Sequence, residues 1–160
     1  MDSIHVLSRA VIIDQGHILV AYDPRPQPNH YYELNTQFYY LPGGHIDFQE
    51  SAHNAVLREI KEETGFDSTI ERFLGIIEHA WDFPGDEVCC HTHEINIIFK
   101  LNITDLKFGD IFEQQEDHVA FRWLSIKDLD QIDLRPLALK SALSKWLGYN
   151  GSNIFVSMMK

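Results

Sequence analysis

Two mostly aliphatic runs, residues 6–13 and 17–21, flank Asp14-Gln15-Gly16, a polar triplet ending in glycine. That pattern predicts two strands joined as a hairpin. Residues 23–35 are rich in proline and polar side chains and predict a loop, after which Phe38-Tyr39-Tyr40-Leu41 reads as a short strand leading into the turn Pro42-Gly43-Gly44. The period then changes from two to 3.6. Val56, Leu57, Ile60 and Thr64 fall on one side of a helix whose N-cap is Ser51 and whose stop is Gly65, while Asn54 and Lys61 fall on a wetter side. Residues 70–79 and 94–101 predict two further strands, with 83–87 in the loop between them. Residues 119–124 predict another strand, and Ser125 is placed to cap a short helix to about Leu129. A last helix is expected from Pro136, as the first helical residue, to Gly148, with Leu137, Leu139, Leu143 and Trp146 as a core stripe. Residues 152–159 fit either an edge strand or a loosely packed tail. Strands, a helix, more strands and a terminal helix together imply an α/β architecture, a mixed parallel and antiparallel sheet with helices on both faces.

The chain of 160 residues, 44% of them hydrophobic, is long enough to bury a core of its own, and no linker-like or repetitive stretch divides it. A single domain over residues 1–160 is expected. The formal charge of −11 and pI near 5.1 argue against a nucleic-acid polymer or an anionic membrane as partner. The N-terminus lacks a basic flank followed by a long apolar core, and the two cysteines, Cys89 and Cys90, are adjacent and so point to opposite faces of a strand. A cytoplasmic location is expected. Cys89, Cys90, His91 and His93 lack the paired spacing of structural zinc sites, whereas His91 and His93 share a face and could line a pocket.

The helix carries the chemistry. Glu59, Glu62 and Glu63, at i, i+3 and i+4, crowd like charges onto one sector, which also holds Ala52 and Ala55. Such oxygen-rich clusters suit Mg²⁺ or Mn²⁺, ions usually held by a few carboxylates together with substrate phosphates. Small residues in that sector let the glycine turn approach, so a backbone carbonyl near Gly43 could join the metal shell. Arg58, beside three carboxylates, lowers their repulsion and fixes their rotamers.

Gly44, Glu50, Arg58-Glu59, Ile60, Glu62-Glu63, Gly65 and Phe66 stand at the spacing G-x5-E-x7-R-E-aliphatic-x-E-E-x-G-apolar. This segment resembles the Nudix box at every defined position. The resemblance implies the α/β/α sandwich of that family over about residues 4–147. It also implies metal binding by Glu59, Glu62 and Glu63, and bracing of the loop and helix by Glu50, Arg58, Gly44 and Gly65. The implied reaction is divalent-metal-dependent hydrolysis of a phosphoanhydride in a nucleoside diphosphate linked to another group: ADP-ribose, a nucleotide sugar or a nucleoside triphosphate. Family members place the general base either in the box or on a loop before a late strand, which leaves Glu59, Glu113 and Glu116 open, with Glu116 favoured over Glu113 as the distal ligand or base. Candidates for holding a small nucleotide are Arg9, Tyr40, Trp81 and His93, with Tyr31, Tyr32, Phe38 and Phe83 as further aromatics. His118 reads as a surface histidine. Two other classes remain, a non-catalytic nucleotide sensor regulating a partner and an interaction protein with a charged helix. The sequence does not choose between a monomer and a homodimer.

Overall fold

The computed structural model describes residues 4–25, 38–80, 93–111, 113, 115–148 and 155–157. Tyr31, Tyr32, Trp81, Phe83, Cys89, Cys90 and His91 lie outside the described residues.

The elements follow in the order β1 (His5–Asp14), β2 (His17–Tyr22), β3 (Gly43–His45), α1 (Ala52–Thr64), β4 (Thr69–Ala80), β5 (His93–Asn102) and β6 (Ala120–Ser125). A 3-10 helix (Ile126–Gln131), α2 (Ala138–Gly148) and β7 (Phe155–Ser157) complete the chain. The sheet runs β6-β2-β1-β5-β4-β7, with β3 also paired to β1. It is mixed: β1 pairs with β5, and β4 with β7, in parallel, while the other pairs are antiparallel. The β1–β2 hairpin closes through Gln15 and Gly16, both at positive φ (47° and 75°), the backbone twist that suits a two-residue connection.

Two cores lie on opposite faces. Val56 and Ile60 of α1 pack with Ala10, Ile12, Leu19, Phe99 and Leu101. Leu139, Ala142, Leu143 and Trp146 of α2 pack with Val11, Ile18, Val20, Ile77 and Ile98. Neighbouring residues of β1 thus serve different helices, as strand alternation requires.

Three expectations are corrected. Residues 38–41 make only isolated bridges, Tyr39 to Leu134 and Tyr40 to Ala21, and the strand lies at Gly43–His45, where a turn was expected. The absence of a side chain at Gly43 lets its backbone lie against Ser8 and Arg9. The last helix starts at Ala138, so Pro136 precedes it and Leu137 is exposed. Ser125 makes no side-chain cap to the 3-10 helix. The tail question is answered by β7, an edge strand beside β4.

Candidate active site

Both ends of α1 are fixed by local chemistry. Ser51 is extended at the N-cap and its hydroxyl accepts from Asn54 N at 3.2 Å, while Gly65 takes φ 78° and its N–H donates to Lys61 O at 2.9 Å. The buried Ser8 hydroxyl donates to Ala52 O at 2.7 Å, tying the first turn of the helix to β1. With the helix so placed, its carboxylates range from buried to open. Glu63 is 6% exposed, and its Oε2 accepts from Gly43 N at 2.9 Å. The side chain of Glu59 is 17% exposed and that of Glu62 53%.

Gly44 sets the distance between β3 and this cluster. A Cβ there would stand 2.6 Å from both Cδ and Oε2 of Glu59, so a glycine is what lets the strand approach. At Gly43, φ is 114° and a Cβ would run into Ser8 O.

Arg58 spans the cluster. It donates to Glu50 (2.8 and 2.9 Å), to Glu59 (2.8 Å), to Glu62 (3.2 Å) and to the carbonyl of His45 (3.0 Å). The bidentate pair with Arg58, reinforced by the Asp47 N–H, holds Glu50 down at about 2 and raises the Arg58 guanidinium. Glu59 and Glu63 move the other way. Desolvation raises Glu59, and it lifts Glu63 to about 7 against the Gly43 N–H and the charge of Arg9, with Glu59 and Glu116 adding repulsion.

Arg9 donates to the carbonyls of Leu41 (3.2 Å) and Gly43, and its guanidinium lies 5.5 Å from the centre of the Tyr40 ring. Burial pushes the Tyr40 phenol to about 12. Arg9 and Tyr40 therefore stand beside the carboxylates. Glu116 is near enough to Glu63 to act on its charge and sits 3.1 Å from His118, whereas Glu113 is exposed and its side chain meets none of the cluster among the described residues. His93 is not brought to the same place. Its Nε2 is 3.4 Å from Glu78, and it lies five residues from Ile98, the cross-strand partner of Arg9, so alternation turns it to the other face.

The donor set fits a hard divalent ion. Glu59 Oε2, Glu62 Oε1 and Glu63 Oε1 accept no hydrogen bond among the described residues, and two of the three carboxylates carry raised pKa values that a cation would relieve. No three acidic, histidine or cysteine side chains among the described residues converge tightly enough to chelate an ion as they stand, and Arg58 Nη1 donates to both Glu59 and Glu62.

The model of the NUDIX domain matches residues 5–146 of this chain. The chain belongs to the Nudix family. An ADP-ribose pyrophosphatase of Methanocaldococcus jannaschii is 36% identical over 78 residues, covering 48% of this chain and 43% of that protein. Putative nudix hydrolase 1 of Caenorhabditis elegans is 30% identical over 100 residues, 61% of this chain and 24% of that one. The chain thus spans less than half the length of these curated relatives. Among solved structures, a MutT NUDIX hydrolase from Burkholderia pseudomallei superimposes with a TM-score of 0.61 at 27% identity, over 89% of this chain and 98% of that one. A MutT protein from Methanosarcina mazei Go1 superimposes with a TM-score of 0.66 at 18% identity, over 94% and 98% of the two chains. The Nudix assignment and the α/β fold expected from the sequence are both borne out.

The Nudix box in this chain is therefore a strand, loop and helix, with Arg58 and Glu50 as its internal brace. Sequence reading did not nominate Ser8, which anchors the helix start, or Asn96, buried mid-strand in β5. Asn96 had a signal, since it is the one polar residue in Ile95-Asn96-Ile97-Ile98-Phe99.

Proposed function

We propose that this Nudix domain hydrolyses a phosphoanhydride bond in a small nucleotide, a nucleoside diphosphate linked to another group, with Mg²⁺ or Mn²⁺. The observation that carries the reading is the set of uncommitted carboxylate oxygens of Glu59, Glu62 and Glu63 at the edge where Gly43 and Gly44 press against α1. A divalent ion held by these three and the Gly43 carbonyl supplies charge neutralisation at the non-bridging phosphate oxygens and a more acidic water.

The protein's own groups do the rest. Arg58 fixes the Glu59 rotamer through one carboxylate oxygen and leaves the other open. Partial desolvation makes Glu59 a stronger proton acceptor than an exposed glutamate, which suits a general base for the attacking water. Glu116, close enough to Glu63 to add to its repulsion, is the second candidate for that role. Arg9 is the cation placed to meet phosphate oxygens, and turning from the Gly43 carbonyl towards substrate would free that carbonyl as a ligand. Tyr40 supplies the wall behind Arg9. One named relative is an ADP-ribose pyrophosphatase, and a UDP-X diphosphatase shares the fold at a TM-score of 0.63 and 20% identity, so both substrate types belong in the first screen.

The test is a screen of nucleoside triphosphates, ADP-ribose, dinucleoside polyphosphates and nucleotide sugars with each metal, read by phosphorus NMR. Hydrolysis is expected only with metal, and Glu59→Gln is expected to lower kcat at least ten-fold, about 1.4 kcal/mol of barrier. Metal-independent turnover, or an unimpaired Glu59→Gln, would remove the assignment. Reaction in isotopically labelled water identifies which phosphorus is attacked.

A further inference from the structure

The sheet ends in two edges of different build. β7 is three residues long, whereas β6 runs for six in regular register with β2 and contains neither proline nor bulge. Ala21 exchanges both backbone hydrogen bonds with Tyr40, and Ile126 N donates to Gly16 O, so the antiparallel ladder bonds β2 to Arg122 and Leu124 of β6. Trp123 and Ser125 therefore turn their N–H and C=O groups outward, where they meet no partner among the described residues. Edges of this length are usually blunted by proline, a bulge or an outward charge. The one charge on β6 does not do so, because Arg122 donates to the Tyr39 hydroxyl at 2.9 Å.

A cavity of about 270 Å³ adjoins this edge, lined by Leu19, Phe121 and Trp123 from the face that packs on α1, and by Asp110, Ile111 and Ala120. Its walls are held in place. Phe108 meets Trp123 edge-on with ring centres 6.2 Å apart and stacks on His17 at 3.6 Å, while its N–H donates to Asp14 at 2.8 Å. Ile111 is 100% exposed, an aliphatic side chain that nothing among the described residues covers. A cavity near 150 Å³ already holds a benzene ring, so this one accepts a single large apolar side chain. The flank is acidic: Lys107 is the lone lysine or arginine of residues 103–119, against Asp105, Asp110, Glu113, Glu116 and Asp117.

We propose that the β6 edge docks an extended segment of a partner protein, one large apolar residue with a basic residue two places to either side, which joins the sheet as a further strand. The residue opposite Trp123 exchanges main-chain hydrogen bonds with it and shares its face, so that residue is the apolar one and its side chain fills the cavity. Strand alternation puts the two basic residues on the same face, towards the acidic flank. Main-chain pairing gives affinity, and the cavity and the charges give selectivity. A second copy of this chain is a poor occupant, because its own β6 brings the same acidic flank to the contact. No lining residue belongs to α1 or to the glycine strand, so the surface is independent of the hydrolase reading.

The probe is a fluorescein-labelled, end-capped peptide, Thr-Lys-Thr-Leu-Thr-Lys-Thr, titrated with the full chain and read by anisotropy. Alanine in place of its leucine is expected to weaken binding at least about ten-fold, and N-methylation of the amides that face β6 to do the same. Glutamate in place of both lysines is expected to abolish binding. Asp110→Asn, which keeps an acceptor for the Lys107 N–H, and Ile111→Ser are each expected to weaken the leucine probe by about three-fold or more with Tm and hydrolysis unchanged. Amide exchange followed by NMR supplies the readout that mere electrostatic attraction would not move: bound probe is expected to slow exchange at the Trp123 N–H at least about ten-fold. Equal affinity for the leucine and alanine probes, binding that leaves the Trp123 N–H unprotected, or no saturable binding up to about 1 mM overturns the proposal. So does a dimer of the chain alone in which that N–H is already protected.

Discussion

Gly44 shows how much of the site hangs on one missing side chain. A methyl group there would meet Glu59, but what it meets is the flexible end of a carboxylate. Gly44→Ala should therefore cost the fold little, within about 1 kcal/mol, while pushing Glu59 out of position. Paired melting and kinetic measurements are expected to give a nearly unchanged Tm and at least a ten-fold loss of kcat. A large drop in Tm with activity kept in the surviving protein would contradict this. The spacing of Glu59, Glu62 and Glu63 was legible because helix periodicity is local. Their gradation from open Glu62 to buried Glu63 was not, since it depends on β3 lying against the last turns of α1.

At the level of elements, the helix was readable at both ends because Ser51 and Gly65 carry their own signals. The strand before it was misplaced because two glycines read as a turn, when the partner that makes them a strand lies over thirty residues earlier. Packing α1 against β3 also has a cost that can be measured. Glu63 has a folded-state pKa near 7, above its unfolded value near 4.5, so between these values the folded protein holds the extra proton. Stability in EDTA should consequently fall as pH rises from about 5 to 7, by up to roughly 3 kcal/mol from this group. Glu50, held at about 2, acts in the opposite sense and only below about pH 4.5. Denaturant melts across pH 5–8 should show a declining limb in the wild type that is much shallower in Glu63→Gln, where only the smaller contribution of Glu59 remains. A wild-type profile parallel to that of the variant would show that Glu63 does not titrate in this range.

Across the whole molecule, an acidic chain of charge −11 concentrates part of its repulsion at the edge where the two layers meet the β3 strand. At that edge burial and the neighbouring carboxylates hold Glu63 well above the usual carboxylate range. An ion that binds the folded site and not the unfolded chain must then stabilise the entire domain through mass action. At a hundred times its dissociation constant the gain is about 2.7 kcal/mol, which for a domain of this size is roughly 5–10 °C in Tm. Magnesium or manganese should produce that rise at neutral pH, and sodium chloride at equal ionic strength should produce much less, because screening acts on all charges weakly whereas chelation acts on three strongly. The rise should disappear in Glu63→Gln, whose neutral side chain keeps the hydrogen bond from Gly43 and loses the charge. If sodium matched magnesium, or the variant responded as fully as the wild type, the carboxylates of α1 would be a screened surface and not a site.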